Sequence, residues 1–559
     1  MLKSIFGTIV AGIASFGGSA AADTLLHSVT GYTSSASGVI QPFSVLVFND
    51  DGRVVAIGDD KLIAEHTEAN RVDGHDQFVL PGLIDSHAHV SDLGFLTVQL
   101  DLTGSPSVED AVERIAAYAK ENPGSGWIEG FGWNQVLWPA RKFPTAAHID
   151  AVVPDRPVWL RRIDGHAGWA NSKAMAIAGI DNDTPDPVGG KIYRDTDEYA
   201  TGTLVDKAMG LVAGKIPPPS REDYRKAYQV AFERLISLGL TSVHDAAINI
   251  SEAEAYLSMA DDGELTMRVY AMLWGANENL DAFGTPIHSY GNDRLTIASV
   301  KLIADGALGS RGAALFEPYA DDPENRGLPF WTQRELDGFV KKSNDLGFQV
   351  AIHAIGDLGN KQALDAIQRS QNSQSLQLRN RIEHAQVVRL SDIPRFAELG
   401  VIASMQATHA TSDMNMAEDR LGPDRIKGAY AWRKFLNAGV IIANGSDFPV
   451  ELPNPMYGLY ASVTRQSRDG SPEGGWYASE ALTREEALHS FTWAAAFAAH
   501  QEDRLGSLEP GKWADFIVVD RDYFEILESE IDDIKVIQTW IGGDVVFDGC
   551  ADKEFAVDC

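Results

Sequence analysis

Short apolar runs recur through the middle of the chain and alternate with longer segments in which apolar residues repeat every three or four positions. The short runs predict buried strands, and the longer segments predict helices. The predicted strands are residues 79–90, 240–245, 267–273, 297–303, 348–353, 381–384, 401–405 and 440–444. Eight strands that alternate with helices predict an α/β fold, a parallel (β/α)8 TIM barrel, in which the reactive groups lie at the carboxyl ends of the strands.

A different β pattern lies at the two ends of the chain. Residues 43–57 predict two strands around an Asp-Gly turn, and further strands are predicted near the carboxyl end, at residues 514–520, 535–540 and 544–547. We therefore expect one small β-sandwich domain that both termini build together, from residues 23–80 and 505–559.

The predicted barrel occupies residues 81–504 and has one long interruption. About 150 residues separate its first two strands, although a βα unit needs far fewer. We expect this interval, about residues 92–218, to form an inserted subdomain over the mouth of the barrel.

The first 22 residues have the pattern of a secretory signal peptide. Lys3 precedes an apolar stretch at residues 5–16, and small residues at 19–22 form a cleavage context. The apolar stretch is too short to span a membrane. We expect an exported protein, periplasmic or secreted, with no membrane contact after cleavage; an uncleaved anchor is the alternative.

The charge of the chain excludes several classes of partner. The sequence has 47 Lys and Arg residues against 79 Asp and Glu residues, a formal net charge of −32 at pH 7. Such a surface repels nucleic acid and anionic membranes, so the expected partner is a small-molecule substrate.

The two cysteines of the chain, Cys550 and Cys559, both lie at its carboxyl end. Neither is near a predicted barrel strand, so a thiolate ligand or nucleophile is not expected. In an oxidising compartment the pair could close a small disulfide loop that contributes about 2–3 kcal/mol.

Polar residues at the predicted strand ends are the main signal for chemistry. His87 and His89 end the first strand, where residues two positions apart point to the same face. Alone, a His-x-His pair is more often two histidines with local partners. The later strands, however, carry or end in further residues of the same kind: Lys301, His353, His384 and Asp447. Unpaired buried charge is costly, so coincident polar strand ends predict one metal site.

Lys301 stands inside an otherwise apolar strand. Burial disfavours its charged form, and a neutral amine can react with CO2 to give a carbamate whose two oxygens bridge two cations. The alternative is a lysine that pairs with Asp305 or with another carboxylate outside the site.

Several segments together carry a family resemblance: Pro-Gly-Leu-Ile-Asp-Ser-His-Ala-His (81–89), Asp-Gly-His (164–166), Asp-Gly-Ala-Leu-Gly-Ser-Arg-Gly-Ala (305–313), His-Ala-Ile-Gly-Asp (353–357), Arg-Ile-Glu-His-Ala-Gln (381–386), Gly-Ser-Asp-Phe-Pro-Val-Glu (445–451) and Gly-Ser-Leu-Glu-Pro-Gly-Lys-Trp-Ala-Asp-Phe (506–516). The chain resembles the amidohydrolase superfamily, specifically amidohydrolase family 3, which includes YtcJ-like proteins and N-substituted formamide deformylases. The resemblance covers nearly the whole mature chain.

The resemblance implies a site for one or two Zn²⁺ ions. His87, His89 and Asp447 would hold one metal, and His353 and His384 would hold the second, with Lys301 bridging as its carbamate. Members of such families often pair, so a homodimer is an open possibility.

The expected reaction follows from metal chemistry. A metal lowers the pKa of bound water from 15.7 towards about 7, and Asp447 is the candidate general base. His166 of the insertion is expected to contact the substrate or to stabilise charge on the oxyanion. Arg311 is a candidate for a substrate carboxylate or for a structural ion pair, and Trp133 for an apolar pocket or for the core of the insertion.

The leading function is therefore hydrolysis of a C–N bond in a small molecule, such as a linear amide, an N-acyl or an N-formyl compound, by a metal-activated hydroxide. Hydrolysis of a cyclic amide, an ester or lactone, or an amidine is an alternative, because the same nucleophile serves all of them. An alternative of another class is a non-catalytic regulatory or binding protein that keeps the fold.

Overall fold

The computed structural model describes residues 23–162, 167–187, 190–275 and 278–551. The predicted signal peptide, His166 and Cys559 lie outside these ranges, so the predictions made for them stay predictions. In the described part of the chain no helix is both long enough and apolar enough to cross a bilayer.

The strands of the described residues, in chain order, are β1 (Thr24–Ser34), β2 (Ile40–Phe43), β3 (Val45–Phe48), β4 (Val54–Gly58), β5 (Asn70–Pro81), β6 (Leu83–Ala88), β7 (Leu100–Asp101), β8 (Ile128–Trp133), β9 (Val158–Arg162), β10 (Ala167–Ala170), β11 (Gly190–Arg194), β12 (Ala200–Asp206), β13 (Leu240–Ile248), β14 (Arg268–Trp274), β15 (Ile287–Ser289), β16 (Leu295–Ile303), β17 (Gln349–Ala354), β18 (Arg381–His384), β19 (Ile402–Gln406), β20 (Ile442–Gly445), β21 (Phe516–Val519), β22 (Val536–Ile541) and β23 (Asp544–Asp548).

The α-helices of the same residues are α1 (Lys61–Glu65), α2 (Val90–Val98), α3 (Val108–Glu121), α4 (Ala146–Asp150), α5 (Ser172–Ala178), α6 (Gly210–Ala213), α7 (Arg221–Ser237), α8 (Ile250–Asp262), α9 (Glu278–Phe283), α10 (Tyr290–Asp293), α11 (Gln333–Asp345), α12 (Asp357–Ser370), α13 (Ser373–Gln377), α14 (Ile393–Leu399), α15 (Ala407–Asp413), α16 (Ala417–Arg425), α17 (Trp432–Asn437), α18 (Pro455–Thr464), α19 (Arg484–Ser490) and α20 (Trp493–Ala498).

Eight parallel strands form the barrel, in the order β6, β13, β14, β16, β17, β18, β19 and β20. Backbone bonds just past β20 bring the last strand back to the first: the Asp447 amide donates to the His87 carbonyl (2.8 Å), and the His89 amide donates to the Phe448 carbonyl (2.9 Å). The predicted TIM barrel is confirmed.

Closure of the barrel depends on a close approach between Gly445 and Asp85. A Cβ atom on Gly445 would lie 2.6 Å from Oδ1 of Asp85 and from the backbone nitrogen of His87, so only glycine fits there. The Asp85 carboxylate in turn accepts the hydroxyl (2.6 Å) and the amide (3.1 Å) of Ser446. These contacts fix the backbone that presents both His87 and Asp447.

The outer helices pack apolar faces on the barrel. In α7 a capping box between Ser220 and Asp223 begins the helix. Its buried Tyr228 ring stacks on Tyr256 of α8, with ring centroids 3.9 Å apart. Both rings belong to the continuous apolar core between helices and strands, which holds the barrel rigid beneath its carboxyl-terminal face.

The two ends of the chain meet in one sheet, with the order β23-β22-β21-β5-β1-β3-β4 and with β2 paired to β1. The predicted β domain from both termini is thereby confirmed as part of the fold, while its predicted boundaries stay predictions. Strands β1 and β2 were not predicted, because Gly, Ser and Thr interrupt the apolar pattern of β1 and β2 (Ile-Gln-Pro-Phe) is short and contains a proline. At Gly82, where β5 passes into the barrel, an added Cβ would lie 2.3 Å from Oγ1 of Thr241.

The insertion between β6 and β13 forms its own sheet, in the order β11-β12-β10-β9-β8-β7. Its core contains Trp133, Trp138 and Trp169. Trp133 is fully buried there, and its indole N–H donates to the Leu160 carbonyl (2.8 Å). The substrate-binding prediction for Trp133 is therefore corrected: the ring packs inside the insertion and does not line the central cavity.

Candidate metal centre

The barrel brings the predicted side chains of five strand ends together. His87 lies in β6, Lys301 in β16, His353 in β17 and His384 in β18. His89 follows the end of β6 by one residue, and Asp447 follows the end of β20 by two. We call these six residues the strand-end cluster. They line a cavity of about 430 Å³ together with other residues, among them Trp274, Gln386, His409, Ser412, Asp413 and Glu451.

The distances within the strand-end cluster are short. The ring centroid of His384 lies 5.0 Å from that of His87 and 4.5 Å from that of His353. Nε2 of His89 is 3.2 Å from Oδ1 of Asp447. The predicted convergence of these side chains is therefore found, although His89 stands just after its strand and begins the turn into α2.

Three imidazoles are held from behind by acceptors. Nδ1 of His87 bonds to the buried carboxylate of Glu383, and Nδ1 of His89 lies 3.1 Å from the Ala246 carbonyl. Nδ1 of His384 lies 2.7 Å from Oε1 of Gln406. With Nδ1 occupied in this way, Nε2 is left to bind a metal, which is the usual arrangement around metal-ligating histidines.

The donor set fits a divalent transition metal. Ligand atoms of His87, His384 and Asp447 all lie within 4.8 Å of one another. Nε2 of His353 is buried and has no hydrogen-bond partner among the described residues. Imidazole nitrogens with a carboxylate oxygen are ligands of zinc-type ions, and a metal would complete the unpaired nitrogen.

Burial keeps three of the four imidazoles neutral, whereas the hydrogen bond between His89 and Asp447 outweighs burial and raises the pKa of His89. Burial lowers the pKa of His87 to about 4 and the pKa of His353 to about 3, and the nearby Lys301 acts in the same direction on both. Burial also lowers the pKa of His384 well below its ordinary value. Neutral imidazole is the form that binds metal.

Lys301 is the cation of the cluster. It is 3% exposed, and its Nζ lies 2.9 Å from Nε2 of His87. Burial lowers the pKa of Lys301 to about 8. No carboxylate forms an ion pair with it among the described residues. The alternative partner, Asp305, instead accepts the backbone amides of Ala314, Ile355 and Gly356.

Asp447 occupies the centre of the cluster in a strained backbone conformation. Its φ is +61°, a left-handed value that non-glycine residues rarely adopt. Burial alone would raise the pKa of its carboxyl, but the hydrogen bond with His89 and the adjacent imidazoles hold that pKa well below its ordinary value. Such strain at a functional position is typical of sites in which geometry is imposed by the surrounding fold.

Four supporting residues were not predicted from the sequence: Arg381, Glu383, Gln406 and His409. Arg381 is fully buried and binds Glu383 through Nε (2.5 Å), Ser404 through Nη2 (2.6 Å) and Nδ1 of His244 (3.0 Å). A signal was available for Gln406 and His409, because both follow the seventh predicted strand at its carboxyl end. That strand end, like those of the second and third predicted strands, was left without a candidate.

Arg311 lies apart from the cluster. Its Nη2 is 2.9 Å from Oδ2 of Asp321, in a pair that is partly exposed, and it does not line the central cavity. Of its two predicted roles, the structure thus places it in an ion pair, and the role in binding a substrate carboxylate stays a prediction. His166 lies outside the described residues, but its neighbours Arg161 and Arg162 border a second cavity of about 340 Å³ with Phe131, Phe95 and Pro449.

Comparisons with known proteins agree with this geometry. A model of the Amidohydrolase family matches residues 71–547. The chain is 31% identical over 517 residues to YtcJ of Bacillus subtilis (strain 168), covering 90% of this chain and 96% of that protein. It is 26% identical over 512 residues to the N-substituted formamide deformylase of Arthrobacter pascens, covering 88% of this chain and 93% of that protein.

A solved structure is similar over the same length. The crystal structure of an uncharacterized metal-dependent hydrolase from Pyrococcus horikoshii superposes with a TM-score of 0.77 at 31% identity. The similarity covers 91% of this chain and 99% of that one.

Proposed function

Since the chain belongs to the amidohydrolase family and is a metal-dependent hydrolase, we propose that it cleaves a C–N bond in a small-molecule amide, N-acyl or N-formyl compound. The observation that carries this proposal is the strand-end cluster itself: four imidazoles, three of them held neutral by burial, and one ionised carboxylate face a single cavity. The name of the Arthrobacter pascens relative supports an N-substituted formamide as one substrate class.

Zinc is the proposed metal. His87, His89 and Asp447 would hold one ion and His353 and His384 a second, with Lys301 as its carbamate between them. The carbamate forms when the neutral Nζ of Lys301 bonds to the carbon of CO2 and releases a proton. When bound, such ions polarise a carbonyl oxygen and lower the pKa of water so that hydroxide is present at neutral pH.

The chain's own residues then move the proton. Asp447 accepts a proton from the attacking water at its carboxylate and holds it while the water oxygen bonds to the acyl carbon. As the C–N bond breaks, Asp447 returns that proton to the leaving nitrogen, so the products are an acid and an amine. Glu383, Gln406 and the Ala246 carbonyl keep the imidazoles oriented throughout.

We also propose that the enzyme acts outside the cytoplasm, after loss of residues 1–22, on a small molecule rather than on nucleic acid or a membrane. The acidic surface and the leader pattern support this setting. A homodimer remains part of the proposal.

The test is hydrolysis by the purified protein before and after metal removal. N-formyl, N-acetyl and N-acylamino-acid compounds are assayed beside esters, lactones, cyclic amides and amidines. We expect amine release from a linear amide, loss of that activity on chelation and recovery with Zn²⁺. Turnover of esters alone contradicts the C–N assignment, and zinc binding without any turnover favours a binding protein.

A further inference from the structure

His409 lines the central cavity but has no role in the metal centre proposed above. It lies in α15, which begins where β19 ends at Gln406. Its ring stacks on that of His384, with centroids 5.7 Å apart and planes 24° apart. Because Gln406 also holds Nδ1 of His384, one short segment positions both rings.

The Nε2 atom of His409 is buried and has no hydrogen-bond partner among the described residues. Oδ2 of Asp447 lies 3.5 Å away, which is too long for an ordinary hydrogen bond. A buried polar atom without a partner costs about 1–3 kcal/mol. In a cavity of this kind a bound ligand can supply the missing partner.

The two carboxylate oxygens of Asp447 separate His409 from the two imidazoles of the first strand. Oδ1 lies 3.6 Å from Nε2 of His87 and 3.2 Å from Nε2 of His89, whereas Oδ2 faces His409. His409 therefore stands beside the proposed proton carrier, on the opposite side from the imidazoles of the first strand.

We propose that His409 is a substrate-binding residue whose Nε2–H donates a hydrogen bond to the carbonyl oxygen of the scissile amide. This inference rests on the proposed function, because it assumes an amide in the cavity. A donor at this position stabilises the charge that develops on the oxygen in the transition state. From the sequence, oxyanion stabilisation is predicted for His166. Among the described residues, His409 is placed for that role, because it lines the cavity beside Asp447.

The kinetic test compares His409→Leu, which removes the donor, with His409→Gln, whose amide nitrogen restores one. The control is His288→Leu, at an exposed histidine remote from the cavity lining. With N-butylformamide as substrate, we expect His409→Leu to lower kcat by about 10²–10³-fold. His409→Gln should recover most of that loss, and the zinc content of all three variants should stay unchanged.

Two outcomes of these measurements overturn the proposal. One is an unchanged kcat in His409→Leu. The other is a loss of zinc from His409→Leu, because His409 would then be a metal ligand. Circular dichroism of each variant confirms that the fold is intact, and the Gln variant keeps the test decisive if Leu disturbs it.

A second readout does not depend on turnover. N-butylformamide labelled with ¹³C at its carbonyl is bound to Asp447→Asn protein, with His409 or with Leu at position 409, and its C=O stretch is measured by infrared difference spectroscopy. We expect a lower frequency when His409 is present. Equal frequencies, or no binding, overturn the inference. If the frequency is lower with His409 present but the wild-type protein hydrolyses no amide, the inference stands and the proposed function is rejected.

Discussion

Glu383 accepts a hydrogen bond from Nδ1 of His87, and both side chains are fully buried in the barrel. The same carboxylate receives two hydrogen bonds from the guanidinium of Arg381, at 2.5 and 3.1 Å. Burial alone would raise the pKa of Glu383, but the guanidinium of Arg381, the hydrogen bond from His87 and the nearby Lys301 hold that pKa well below its ordinary value. The orientation of a metal-binding imidazole is thus determined from inside the barrel, below the cavity.

Replacing Glu383 with Gln should weaken metal binding. The amide cannot hold Nδ1 of His87 with the same charge, and losses of about 10–100-fold in metal affinity are typical for such supporting residues. Zinc affinity is measured by competition with a chromophoric chelator. The matched control is Glu252→Gln, a buried carboxylate that bonds to Ser91 and Asn249 outside the cluster. Equal zinc affinity in both variants contradicts the prediction.

Replacing Arg381 with Met should destabilise the whole barrel. It leaves Glu383 without its buried counter-charge, and removal of one partner of a buried pair costs about 3–5 kcal/mol. The free energy of unfolding in urea measures the effect. Arg468→Met is the control, because Arg468 is half exposed and its pair with Asp532 contributes about 0–1 kcal/mol. Similar losses in the two variants argue against a structural role for the buried pair.

The strand-end cluster was predictable because two simple regularities act together. Apolar runs mark barrel strands, and the carboxyl ends of such strands share one face, so His87, His353 and His384 had to meet if the barrel formed. His409 follows the seventh strand but lies in α15, where strand alternation no longer indicates which side chains face the cavity, so its position after the strand was not enough to predict its role.

The remaining differences come from packing that has no local pattern. A tryptophan such as Trp133 suits either an apolar pocket or a core, and the sequence does not decide between the two. The fold of the insertion shows that its ring is enclosed in the core. Arg381 reads as an ordinary charged residue at the start of a strand. Its partners Ser404 and His244 lie 23 and 137 positions away in the sequence, so no spacing rule could join them.

Carbamate formation on Lys301 should increase with pH. The amine must be neutral to react, and its pKa is lowered to about 8, so the reactive fraction is small at pH 6 and dominant at pH 9. The sign is the same for stability: the lowered pKa of Lys301 disfavours the folded state fully below pH 8, and this cost disappears as the pH rises towards about 10.4.

The measurement is the ¹³C NMR carbamate signal of protein equilibrated with ¹³C-bicarbonate at pH 6 and at pH 9. Lys301→Met should abolish the signal. Lys512→Met should retain it, because Lys512 is a buried lysine that bonds to Ser507 and Glu509. A signal that survives in Lys301→Met shows that the carbamate forms at another residue. If the signal is absent from the wild type and from both variants, the proposed carbamate is rejected.

Substrates that carry a carboxylate should bind poorly. Glu451 and Asp413 line the central cavity, and Lys301 is the only lysine or arginine among its described lining residues. Like charges near a surface oppose each other by about 1 kcal/mol or more at short range. Glu451→Gln should therefore raise kcat/KM for N-formylglutamate relative to N-butylformamide by about fivefold, and added salt should reduce this gain.

The control for that comparison is Glu398→Gln, an exposed carboxylate on α14 away from the cavity. A gain of the same size in Glu398→Gln assigns the effect to net charge alone. A preference of the wild-type enzyme for N-formylglutamate contradicts the prediction directly.

Replacing Asp447 with Asn should separate metal binding from hydrolysis. The amide oxygen still faces the imidazoles of His87 and His89, so much of the zinc should remain, whereas the amide cannot accept a proton from water. Loss of a general base lowers kcat by about 10²–10⁴-fold. Zinc content and amide turnover are measured on the same preparation, with the exposed Asp424→Asn as control. Near-normal turnover with full zinc excludes Asp447 as the proton acceptor. Loss of zinc together with activity shows that the main role of Asp447 is to bind the metal.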